Sequence, residues 1–109
     1  MKKILYLVIK SGKEAYDTLQ ELNQQGYNAT VVSTESLRRA VEYYPEDHHF
    51  YNLRHFEKSE IQESILCLFV LEENKLEDLK NIIRKFTNNF KDIKGFMFSK
   101  NLNDYEGSI

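Results

Sequence analysis

Two uninterrupted apolar runs, KILYLVIK at residues 3–10 and ESILCLFVL at residues 63–71, constrain this chain more than any other feature. Neither approaches the roughly 20 apolar residues that span a bilayer. Both are rich in the branched and aromatic side chains that suit a pleated, buried backbone. Each run therefore predicts a strand with both faces covered. Helices alone are too few to cover that much surface, so part of it is expected to be buried against another subunit.

The segments between the runs supply the remaining elements. Ser11 and Gly12 break the first run, and either can cap a helix that begins there. From Glu14 to Gln25 the apolar positions Ala15, Leu19 and Leu22 recur at i, i+4 and i+7, which predicts a helix stopped by Gly26. YNATVVST, residues 27–34, is β-branched and predicts the second strand. After the second run, Leu76, Leu79, Ile82, Ile83, Phe86 and Phe90 form one stripe between Lys75 and Phe90. Asn74 is the expected N-cap of this second helix, with Glu77 three residues on. IKGFMFS, residues 93–99, predicts the fourth strand, and residues 101–109 form a polar C-terminal tail.

The order is β-α-β, a long connection at residues 35–62, then β-α-β. That order predicts an α+β chain with the ferredoxin-like βαββαβ arrangement: a four-stranded antiparallel sheet with both helices on one face. At 109 residues the whole chain, 1–109, fits a single domain with one core. A connection as long as residues 35–62 in so economical a fold is usually functional.

Charge and cysteine content narrow the partners. The net charge is −2, with Lys and Arg spread along the chain, so no basic stripe marks a nucleic-acid partner. The apolar stretch in MKKILYLVIK is six residues long and lacks a small-residue cleavage site, so it reads as a strand and not as a signal peptide. No membrane partner is expected. The single cysteine, Cys67, forms no internal disulfide and suits a reducing cytoplasmic location. Its setting inside an apolar run makes it an inert core thiol.

Several activities hosted by this fold lack their residues here. SILCLFV has no K/R-G-F/Y pattern of an RNA-recognition strand, KSGKE has no paired cysteines for a metallochaperone, and Lys10 and Ser11 stand where a metal-dependent nuclease needs an acidic residue. No nucleophile–base constellation is legible, so the chain is not expected to be an enzyme, and no cofactor is implied.

YNATVVSTESLRRA, residues 27–40, resembles the corresponding stretch of the PII-like signalling proteins, within them the small cyclic-di-AMP receptor type. The shared positions are Ala29-Thr30, Thr34 and Leu37-Arg38; Asn28 replaces a basic residue, and Glu35-Ser36 replaces a threonine and glycines. Element order and length match along nearly the whole chain. The resemblance implies a non-enzymatic sensor, a homotrimer with small-ligand clefts between subunits, possible nucleotide binding and a loop at 35–62 that responds to the ligand. The ligand-binding residues carried over are Thr30, Thr34, Ser36, Leu37 and Arg38. A carboxylate at Glu35 repels phosphate, which sets this chain apart from the nucleotide-binding pattern.

YYPEDHHFYNLRHF, residues 43–56, supports two other readings. His48, His49 and His55 offer imidazoles for a transition metal, although the adjacent pair points in opposite directions in an extended backbone. The rings of Tyr43, Tyr44, Phe50, Tyr51 and Phe56 offer a docking surface for a protein partner. Those rings equally suit local packing, with Leu37, Ala40, Val41 and Tyr44 spaced for a short helix ended by Pro45. Arg38 and Arg39 are the anion-binding candidates, against the alternative of a solvated helix face.

Overall fold

A computed structural model describes residues 1–34, 41 and 64–108. The elements are β1 (Lys2–Lys10), α1 (Lys13–Gln24), β2 (Thr30–Thr34), β3 (Ser64–Glu72), a 3-10 turn at Glu73–Lys75, α2 (Leu76–Thr87) and β4 (Gly95–Leu102). The sheet order is β2-β3-β1-β4, and every neighbouring pair is antiparallel. This is the ferredoxin-like arrangement, with the two longest apolar runs as the central strands.

Period-two alternation decides which side chains meet the helices. On β1, Leu5, Leu7 and Ile9 are fully buried; on β3, Ile65, Cys67, Phe69 and Leu71 join them. Register places Leu7 opposite Cys67, Leu5 opposite Phe69 and Ile9 opposite Ile65, so these seven share one face. Ala15 and Leu22 of α1 and Leu76, Leu79 and Ile83 of α2 pack onto that face and form one cluster with it. Burying each such leucine or isoleucine contributes about 1.5–3 kcal/mol. Thr18, on the same side of α1, is buried without cost to its hydroxyl, which donates to the Glu14 carbonyl at 2.8 Å.

Several boundaries differ from the sequence expectation. The second strand begins at Thr30 and not at residue 27, because Gly26 turns the chain at φ 90° and the Asn28 side chain accepts from the Ala29 amide at 2.9 Å. Asn74 does not cap α2; it lies in the 3-10 turn, and the helix starts without a side-chain cap.

The second helix stops at Thr87, short of the expected Phe90. Asn88, Asn89 and Phe90 are all left-handed, at φ 52°, 56° and 63°. Thr87 anchors this turn: its fully buried hydroxyl donates to the Ile83 carbonyl at 2.7 Å and accepts from the Phe90 amide at 3.1 Å.

The fourth strand runs to Leu102 and takes the first two residues of the expected tail. It enters the sheet at Gly95, where a Cβ would lie 2.2 Å from the Val8 carbonyl oxygen, so only glycine fits unshifted.

Candidate functional site

The described helices α1 and α2 cover one face of the sheet; the face opposite them defines the candidate site. Register aligns its side chains into rows. One row holds Val32, Leu66, Val8 and Phe96, and the next holds Thr30, Leu68, Tyr6 and Phe98. Beside them, Val70 pairs with Ile4 and Ile4 with Lys100. No described residue outside the sheet belongs to the core on this side. Phe96, Phe98 and Val32 are 55%, 45% and 44% exposed, unusually open for side chains of this kind.

The rings on this face are organised. Tyr6 and Phe98 stack at 4.6 Å between centroids with 13° between planes, and Phe96 lies 6.2 Å from Phe98 at 14°. Directly opposed aromatic pairs of this type stabilise adjacent strands. Sequence reasoning missed the cluster because β1 and β4 are far apart along the chain. The signal was available in FMF, residues 96–98, where alternation sends both phenylalanines to the same side.

Of the ligand residues named from the sequence, Thr30 and Thr34 lie on β2, paired with Leu68 and Ser64. Both therefore belong to the face opposite α1 and α2, at the outer margin of an edge strand. Ser36, Leu37 and Arg38 lie outside the described residues, as do His48, His49 and His55, residues 43–56 and, Val41 apart, the rest of the connection. Among the described residues no group of three His, Cys, Asp or Glu is placed to hold a metal ion. Cys67 belongs to the opposite, helix-covered face, where burial pushes its thiol up to about 11. A thiol in that setting is a core side chain and a poor nucleophile.

A second feature sits at the far end of the sheet from Thr34. Pairing of β2 with β3 stops at Thr30 and Leu68, so the last part of β3 pairs with β1 alone and has no described strand on its β2 side. A cleft of about 500 Å³ opens there, with Lys2, Tyr27, Asn28, Phe69, Lys75 and Asp78 in its lining. Lys2 is engaged by Glu72 at 3.0 Å, and the N-terminal amine approaches the same carboxylate at 3.8 Å. The hydrogen bond to Glu72 raises the Lys2 pKa, and the same bond lowers that of Glu72. Burial, then the nearby Asp78 charge, raises the Tyr27 phenol. The charges lining this cleft are of both signs, and neither threonine reaches it.

Comparison with protein-family models returned no match, and neither did a search of the curated proteins. No helix among the described residues is long and apolar enough to cross a membrane.

Proposed function

We propose that this chain is a non-enzymatic sensor of the PII-like type, a homotrimer that binds a small ligand at clefts between subunits. Residues 35–62 are its responsive element. The supporting observation is the position of β2. It is an edge strand, it carries Thr30 and Thr34 on the side of the sheet opposite α1 and α2, and it leads directly into residues 35–62.

A ligand seated against that edge contacts the two threonines and the segment C-terminal to them. Ser36, Leu37 and Arg38 complete the proposed binding set. Threonine and serine hydroxyls with one guanidinium suit an anionic group, since charge-assisted hydrogen bonds to oxyanions are the strong ones. Nucleotides are therefore the first class to test, with Glu35 as the side chain that disfavours phosphate beside it.

The experiment is a thermal-shift screen of the purified chain against mono- and cyclic dinucleotides, repeated with Arg38→Ala and Thr30→Val. A melting temperature that rises with one nucleotide in the parent, and fails to rise in both variants, supports sensing. No shift with any nucleotide in the panel overturns the nucleotide reading and favours a module that docks a protein through residues 43–56. A shift with zinc alone, lost when His48, His49 and His55 are replaced, favours a metal-binding protein instead.

A further inference from the structure

We infer that the cleft beside the open end of β3 binds a free peptide about three residues long, with an apolar side chain at its middle position. This site is separate from the one proposed above and does not rest on the sensor reading.

The backbone of β3 carries the inference. The Glu73 amide donates to the Met1 carbonyl at 3.0 Å, so Glu73 faces the β1 side. In an antiparallel ladder alternate residues point the same way, which turns Leu68, Val70 and Glu72 towards the β2 side. Leu68 meets Thr30 there, whereas Val70 and Glu72 have no described strand to meet. The Val70 N–H and C=O and the Glu72 N–H therefore open into the cleft, which both residues line. Backbone groups of this kind demand partners. A peptide laid antiparallel to β3 supplies them by strand addition. Its third residue faces Val70 and bonds both groups; the carbonyl of its first residue accepts from the Glu72 amide.

The slot is short. Thr30, where β2 begins, closes one end, and the 3-10 turn at Glu73–Lys75 closes the other. Residues 69–72, between them, span about 13 Å at ~3.3 Å each, enough for a tripeptide but not for a strand that continues in both directions. A cleft of about 500 Å³ is also of small-ligand size.

The walls select the ligand. Its middle residue lies opposite Leu71 and shares the helix side of the sheet with it. On that side a second cavity of about 200 Å³ adjoins the cleft: Tyr27 and Phe69 line both, and Leu19, Leu22 and Val31 line the smaller one. A leucine-like side chain suits that apolar lobe. In the cleft itself Lys2 is paired with Glu72, while Lys75 and Asp78 have no ion-pair partner among the described residues. One unpaired charge of each sign matches a zwitterion and offers no basic cluster to phosphates.

The test is isothermal titration of the full chain with the tripeptide Ala-Leu-Ala, alongside amide NMR. Saturable binding below about 1 mM is expected, with the Val70 and Glu72 amides shifting. Ala-Leu-(N-methyl)Ala cannot donate to the Val70 carbonyl and is expected to bind about fivefold more weakly. Ala-Glu-Ala places a charge at the apolar lobe and is expected to bind at least about tenfold more weakly, and Val31→Lys is expected to weaken Ala-Leu-Ala in the same direction. Tyr16→Ala, at a position in neither lining, is expected to bind as the wild type does.

No binding of Ala-Leu-Ala overturns the inference. So does binding that ignores N-methylation, or that accepts glutamate as readily as leucine. Equal affinity for the same tripeptide extended by glycines at both ends overturns it too, since the slot would then take an internal segment of a protein. If Val31→Lys loses its fold, the peptide comparisons on the wild type decide. Arg38→Ala is expected to keep peptide binding, so failure of the nucleotide screen and failure of this site are read separately.

Discussion

Thr87 joins the end of α2 to the turn that delivers β4, and replacing it with valine isolates what its hydroxyl does. Valine has nearly the same shape, so no cavity opens in a site with no solvent exposure. Two hydrogen bonds are lost: the donation to the Ile83 carbonyl at 2.7 Å and the acceptance from the Phe90 amide at 3.1 Å. The Ile83 carbonyl keeps its helical partner, so its loss is small.

The Phe90 amide is the costly group. An unsatisfied buried donor costs about 1–3 kcal/mol, and partial access to water around Phe90 places this one near ~1–2 kcal/mol. Phe90 also holds a left-handed φ of 63°, a conformation disfavoured for a bulky side chain. For a domain of this size a loss of ~1–2 kcal/mol lowers the melting temperature by about 5–15 °C. Thr87→Ser keeps both hydrogen bonds and loses one methyl group, roughly 1 kcal/mol. The assay is urea and thermal unfolding monitored by circular dichroism at one fixed protein concentration, with amide exchange at Phe90 read by NMR. A Thr87→Val protein within ~0.3 kcal/mol of wild type, with Phe90 exchange unchanged, refutes the reasoning.

Gly95→Ala is expected to lower stability by about 1–3 kcal/mol, because its Cβ meets the Val8 carbonyl and Ile9 and the start of β4 must move; unfolding in urea measures this. Native Cys67 is expected to resist maleimide at pH 8. With its thiol near 11 only about one molecule in a thousand carries the thiolate, and labelling as fast as a free thiol contradicts its placement. Glu72 should titrate below the ordinary glutamate range in a carboxylate NMR titration, and Lys2→Met should move it back up. Its contribution to folding is present above the unfolded value of about 4.3 and is lost as pH falls through the depressed one. The raised Lys2 works in the opposite sense: its contribution is present below about 10.4 and is lost as pH rises, so both are complete at neutrality.

The element order could be read from the chain because strands and helices leave different periods in the sequence. KILYLVIK and ESILCLFVL became the two central strands, and the Leu79 and Ile83 stripe became the buried side of α2. The end of that helix was not legible. Phe90 continues the helical spacing, and only the three-dimensional anchoring by Thr87 shows that the backbone has already turned left-handed.

The same limit applies to the site. Thr30 and Thr34 stand out in a local pattern, and the sheet keeps them on one side. Tyr6 and Phe98 belong together only because β1 pairs with β4, a contact that no local pattern encodes. Uniform apolarity in a strand says that both faces are to be covered. It does not say which face the helices take or what takes the other.

Sedimentation equilibrium of the unmodified chain tests the proposed function most directly, since ligand clefts between subunits require more than one copy. The expected result is a species of three times the monomer mass that persists on dilution through the micromolar range. A single monomeric species at every concentration would contradict it.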